Sequence, residues 1–264
     1  MVNADFPEID NAADRFGVIY HITADDEETA RTRAVAICLE QTVELPAKLV
    51  PECYIDTIVG KIEELTKLNA TTWKCHISYM NDTTGYEFTQ FLNVLFGNSS
   101  IKAGIMVAEI LLSDVLLNTF KGARFGVKGI REICRVPKGA MMCTALKPMG
   151  YSSEKLAEMA YQFALGGVDI IKDDHGLADQ PFSRYADRVR LCSEAVMKAN
   201  KETGKNCLYA PCLNAPAHLV MQRAWDAKRA GAGAVLMLPG ITGFDTMRAL
   251  ADDADFALPI LAHP

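Results

Sequence analysis

Apolar positions follow two rhythms along this chain, and the change falls near residue 140. Residues 16–23 (FGVIYHIT) are rich in β-branched and aromatic side chains and predict a strand. Asp25 or Asp26 is placed to cap the helix that follows, with Glu27 and Glu28 in its first turn, where the helix dipole favours carboxylates. Ala34, Ile37, Cys38 and Gln41 recur at helical spacing and carry that helix to about residue 43, before Pro46 and Pro51 break the chain. Residues 52–65 and 72–80 read as two further strands around the loop LTKLNA, 87–97 as a helix and 101–112 as an extended segment. The order β-α-β-β-α-β is that of the split ferredoxin-like arrangement.

Beyond residue 140 strands and helices alternate. The strands are expected at 141–146, 168–171, 206–211, 234–238 and 258–262. The helices between them cover 152–165, 182–203, 216–230 and 244–253, closed by Gly166-Gly167, Gly204 and Gly231. A β-α unit repeating every roughly 27 to 30 residues predicts a (β/α)8, TIM-type barrel. The expected domains are therefore an α+β ferredoxin-like one over 1–130 and a barrel over 131–264. Only about five of the eight strands a barrel needs are visible, so the chain is expected to be a piece of a longer protein. An open five-stranded doubly wound sheet is the alternative.

Composition narrows the function. Half of the 264 residues are hydrophobic and the formal net charge is −6, with no basic run, so neither nucleic acid nor an anionic membrane is an expected partner. The eight cysteines are scattered without a C-x-x-C pair, which gives zinc little support and suits reduced thiols in a cytoplasmic protein. The start, MVNADFPEID, is acidic and lacks an apolar signal segment, and no apolar run reaches membrane-spanning length. Neither GxGxxG nor a P-loop is present.

The candidate chemistry gathers at Gly166-Gly167-Val168-Asp169-Ile170-Ile171-Lys172-Asp173-Asp174-His175. An apolar strand delivers four ionisable residues in succession, and charges are costly inside a strand, so Lys172 to His175 are expected where it leaves the core. In parallel α/β proteins that end is where active sites form, and crowded ionisable groups there suit a cation. Strand alternation turns Asp173 away from Lys172 and Asp174, towards a structural hydrogen bond on the outer side.

These residues resemble the large subunit of RuBisCO, and more closely the RuBisCO-like (form IV) proteins, which share its fold without being carboxylases. The resemblance is carried by Thr144-Ala145-Leu146-Lys147-Pro148, the Gly-Gly-x-Asp-x-x-Lys-Asp-Asp block, Asp179-Gln180-Pro181-Phe182 and Pro259-Ile260-Leu261-Ala262-His263, in family order and spacing. It implies that Lys172 is the lysine that carbon dioxide converts to a carbamate, an anionic oxygen ligand for Mg²⁺, with Asp174 as a second ligand. His175 stands where RuBisCO has a glutamate ligand; it is either a metal ligand or a capping and packing histidine. Lys147 is similar to the strand-one lysine beside the substrate's reacting atoms, and Met149 replaces the second lysine of that motif. His263 is similar to the strand-five histidine, followed here by Pro264 instead of a phosphate-binding arginine. Glu40 and Asn98 are similar to the residues that reach the partner subunit's site, which implies a homodimer with shared active sites. His21, His76 and His218 read as structural.

The departures at Met149, His175 and Pro264 fall on groups RuBisCO uses, so a CO₂-fixing carboxylase is not expected. What the resemblance leaves is enolate chemistry on a phosphorylated ketose or keto-sugar acid: enolisation, isomerisation, decarboxylation or hydrolytic C–C cleavage. Lys147, His263 and Lys172 are the candidate catalytic residues, Glu40 and Asn98 the substrate-binding ones, and Lys172, Asp174 and His175 the metal ligands. The competing readings are a non-catalytic family member with a binding or assembly role, and an inert fragment.

Overall fold

The computed structural model describes residues 14–264. The acidic start read above as lacking a signal segment lies outside the described residues. The structure is a mixed α/β fold that divides into two compact units between Lys121 and Gly122.

In the first unit, β1 (Arg15–Thr23) turns Phe16, Val18, Tyr20 and Ile22 into a core where each is fully buried. α1 (Glu27–Glu40) begins at Asp26, whose carboxylate accepts from the Thr29 amide at 2.7 Å, and covers that core with Ala34, Ile37 and Cys38. After α2 (Glu52–Ile55) come β2 (Lys61–Lys67), β3 (Thr72–Met80), α3 (Phe88–Phe96), β4 (Ile105–Leu111) and α4 (Asp114–Thr119). The four strands make one sheet in the order β2-β3-β1-β4, antiparallel throughout, with Val18 opposite Ile77 and Tyr20 opposite Cys75. α3 adds Phe91, Val94 and Leu95 to the same core.

The strand expected over 52–65 is corrected. Its first residues form α2, and the strand is confined to β2. Pro51 supplies the carbonyl that the Tyr54 amide bonds at 2.9 Å, and the Thr57 hydroxyl caps the Cys53 carbonyl at 2.7 Å, so the chain turns before pairing begins. β2 starts after Gly60, which passes close to α1: a Cβ there would fall 3.1 Å from the Cys38 Cα.

The second unit opens with α5 (Gly126–Cys134), which the pattern had not predicted, as it had not predicted α4. Then β5 (Cys143–Leu146), α6 (Ser153–Leu165), β6 (Ile170–Asp173), α7 (Tyr185–Thr203), β7 (Leu208–Ala210), α8 (Ala217–Arg229), β8 (Val235–Met237), α9 (Pro239–Thr242), α10 (Phe244–Asp252) and β9 (Ile260–Ala262) alternate. β5, β6 and β7 pair in parallel in chain order, as do β8 and β9. A parallel bridge between Cys212 and Leu236 continues the pairing from the β7 segment to β8. The helices bury Leu156, Ala160, Cys192, Val196 and Ala199 against Leu146, Ile171 and Tyr209. Burying side chains of this size contributes about 1.5–3 kcal/mol for each large one.

The strand expected at 168–171 lies two residues later. Val168 still belongs to the helix end, its amide bonded to the Phe163 carbonyl at 3.1 Å. The strand then includes Lys172 and Asp173, which had been expected beyond the core, and Asp173 is fully buried. A buried carboxylate is tolerated there because Arg188 neutralises it. Among the described residues no helix is long and apolar enough to cross a membrane.

Candidate functional site

Parallel pairing brings the C-terminal ends of successive strands side by side, and that end of the second unit carries the ionisable residues. In register, Lys172 lies between Ala145 of β5 and Ala210 of β7. Residues opposite one another point to the same face, and two alanine neighbours leave room there for a long side chain. Lys172 is half-buried, and its Nζ donates to the Asp173 carbonyl at 3.3 Å.

Asp174 is the centre of the cluster. Its Oδ2 accepts from the Gly176 amide at 3.3 Å, while its Oδ1 lies 3.3 Å from Lys147 Nζ and 3.7 Å from His175 Nδ1. Oδ1 is buried and accepts no hydrogen bond of good geometry; its charged neighbours are Lys147 and His175 at those distances. Burial pushes the Asp174 carboxyl up; the Gly176 amide, Lys147 and His175 outweigh that and hold it below the usual aspartate value. The His175 ring lies 4.7 Å from that of His263, tilted by 35°. His263 is fixed on the strand end by its amide, which donates to the Met237 carbonyl at 2.8 Å.

The structure thus joins Lys147, Asp174, His175 and His263 in one chain of contacts, with Lys172 on the strand beside them. Among the described residues no group of three or more His, Cys, Asp or Glu side chains is arranged to hold a metal ion. Met149, where the resemblance implied a lost lysine, is exposed and sets its methyl against Gly176. A Cβ built on Gly176 would fall 2.6 Å from the Met149 methyl and 3.3 Å from Asp174 Oδ2.

Glu40 and Asn98 meet in the first unit. Asn98 Nδ2 donates to Glu40 Oε1 at 3.1 Å and Lys102 Nζ to Oε2 at 2.9 Å. Lys102, then Asn98, holds the Glu40 carboxyl below its ordinary value. The pair is held by Gln41, a buried amide whose Nε2 donates to the Val94 carbonyl at 2.6 Å and whose Oε1 accepts from the Ser99 amide at 3.1 Å.

Sequence reasoning missed Lys102 and Arg188. The last carried a signal: 185, 188, 189, 192, 196 and 199 form the buried stripe of α7, and a charge at one of those positions requires a buried partner.

Residues 126–262 match the family model of the ribulose bisphosphate carboxylase large chain, catalytic domain. Ribulose bisphosphate carboxylase-like protein 1 of Rhodopseudomonas palustris is 37% identical over 253 residues, covering 96% of this chain and 68% of its own length. The 5-methylthioribulose-1-phosphate isomerase of Rhodospirillum rubrum is 34% identical over 257 residues, covering 95% of this chain and 68% of that protein. The crystal structure of a Rubisco-like protein from Rhodopseudomonas palustris superposes with a TM-score of 0.86 at 39% identity, over 95% of this chain and 69% of that one. The chain belongs to the RuBisCO large-chain family, within its RuBisCO-like, form IV group.

Proposed function

We propose that this chain is a RuBisCO-like enzyme that forms an enolate from a phosphorylated ketose or keto-sugar acid. The observation that carries this reading is the pairing of Lys147 Nζ with Asp174 Oδ1 at 3.3 Å, beside His175 and His263, at the C-terminal ends of parallel strands. A lysine there is placed to take the proton next to a substrate ketone as the neutral amine and to return it as the ammonium so formed, and His263 to handle a hydroxyl proton. The relative from Rhodospirillum rubrum is named for a phosphorylated ketose, which supports that substrate class.

The structural counterpart of this reading is a ferredoxin-like domain, its sheet ordered β2-β3-β1-β4, followed by the first five strands of a (β/α)8 barrel. The site fits a hard divalent cation such as Mg²⁺: Asp174 Oδ1 is a buried anionic oxygen whose partners, Lys147 Nζ and His175 Nδ1, stand no closer than 3.3 Å, and Lys172 in its half-buried slot would add oxygens as a carbamate. Lys172, Asp174 and His175 would hold the ion. When bound, it supplies polarisation of the substrate carbonyl. Glu40 and Asn98 serve a neighbouring subunit's site in a homodimer, a role that rests on family resemblance. Met149 supports the exclusion of carboxylation, since a thioether methyl stands where a second ammonium would be needed.

The test is solvent exchange of the α-proton of 5-methylthioribulose 1-phosphate in D₂O, followed by NMR with Mg²⁺ and bicarbonate. Exchange by the native chain, lost in Lys172→Ala and slowed about 10²–10⁴-fold in Lys147→Ala, is the expected result. Undiminished exchange in Lys172→Ala would sink the assignment. The second reading, a non-catalytic binding role, is favoured by the methyl of Met149 over Gly176, and a native chain that exchanges no proton would support it.

A further inference from the structure

Arg188 is the largest fully buried side chain among the described residues. It and Asp173 form an ion pair, Nε to Oδ2 at 3.0 Å, with both side chains completely buried. The guanidinium does more than neutralise. Nη1 donates to the Ser183 carbonyl at 2.8 Å and Nη2 to the Ala178 carbonyl at 2.7 Å. Asp173 in turn accepts from the Tyr209 hydroxyl at 2.8 Å through Oδ1 and from the Cys212 amide at 3.1 Å through Oδ2.

A buried ion pair is a poor way to gain stability, because desolvation offsets most of the attraction and a well-packed apolar pair does as well. What this pair fixes is geometry. Asp173 lies between Lys172 and Asp174, and strand alternation means that holding its side chain on one face sets theirs on the other. The carbonyls of Ala178 and Ser183 belong to the segment that leaves His175, and Cys212 opens the segment after β7. One guanidinium and one carboxylate therefore tie together three segments around the candidate site.

We propose that Arg188 is a positioning residue for that site, setting the alignment of Lys172, Asp174 and His175 towards a divalent cation. The inference rests on the metal-site reading given above. Arginine is required because its planar fork reaches acceptors in three directions at once. Lysine at this position keeps the charge that balances Asp173 but places all its donors on one atom, so the ties to Ala178 and Ser183 are lost.

The experiment is titration of the full 264-residue chain with Mn²⁺, with and without bicarbonate, read by calorimetry and by the paramagnetic signal of free Mn²⁺. Arg188→Lys is compared with the native chain and with Leu250→Ala, a core variant in α10 that lowers thermal stability without touching the network. The expected result is an Mn²⁺ affinity reduced about 10- to 100-fold in Arg188→Lys and unchanged in Leu250→Ala. Asp173→Asn, which keeps the shape of the side chain, gives the same reading should the lysine variant not fold. Affinity in these variants within twofold of the native chain overturns the positioning role alone. A native chain that binds no Mn²⁺ under either condition overturns the metal site and this inference with it.

Discussion

A carboxylate's behaviour here depends on what donates to it. Glu40 is charged below the usual glutamate range because Lys102 and Asn98 both bond it. A lowered folded value means that the interaction stabilises the fold fully above the ordinary glutamate range and is lost as pH falls through the lowered value. Lys102→Met is expected to move the Glu40 titration, followed by carboxyl NMR, back towards the ordinary value; an unmoved titration would refute the pairing. Asp173 is the opposite kind of carboxylate, without solvent and fully satisfied. Asp173→Ala leaves the Arg188 guanidinium buried and uncompensated, and urea unfolding should show a loss of about 3–5 kcal/mol. A loss below about 1 kcal/mol would mean that Arg188 escapes to solvent in the variant.

Among elements, the informative junction is the turn from α3 to Asn98. Gly97 approaches its own helix so closely that a Cβ would lie 2.7 Å from the Asn93 carbonyl oxygen, a backbone atom that cannot swing away. Gly97→Ala should therefore cost about 1–3 kcal/mol and pull Asn98 off Glu40, detectable as a rise in the Glu40 titration. A variant of native stability would show that the turn is free to move. This junction marks the limit of what the sequence discloses. The alternation of apolar runs was enough to find β1, α1, β3 and the five parallel strands, because their burial is periodic. It was not enough for 52–60, where prolines and local carbonyl caps decide the path, and α4 and α5 were not read from it, although Ile130, Ile133 and Cys134 of α5 stand at helical spacing. At the site, Lys147, Asp174, His175 and His263 were legible as strand-end residues, and the structure groups them. Asp173 was legible as outward-facing. Arg188, fifteen positions on, carried a signal in the buried stripe of α7, but its pairing with Asp173 was not legible, because only folding shows which buried cation meets which buried anion.

At the scale of the molecule, the cysteines record where the two cores lie. All eight thiols are free; Cys38, Cys75, Cys134, Cys192, Cys207 and Cys212 are buried, and Cys53 and Cys143 are exposed. Burial pushes Cys38, Cys75 and Cys207 up to about 12, and Cys134 and Cys212 up to about 11. The reactive species is the thiolate, so these thiols are protected twice, by lack of access and by protonation. A disulfide reagent such as DTNB at pH 8 should therefore titrate two thiols quickly in the native chain and eight in guanidinium. Cys53 should lead, since burial raises the Cys143 thiol and Lys172 offsets this only in part. The slow class reports unfolding of the cores themselves: Cys38 and Cys75 lie in the first unit, the other four in the second. Following their labelling by peptide mass spectrometry against denaturant should give one transition for each unit, with all thiols of a unit appearing together. More than two fast thiols in the native chain, or a buried thiol labelled apart from the rest of its unit, would contradict the packing described here.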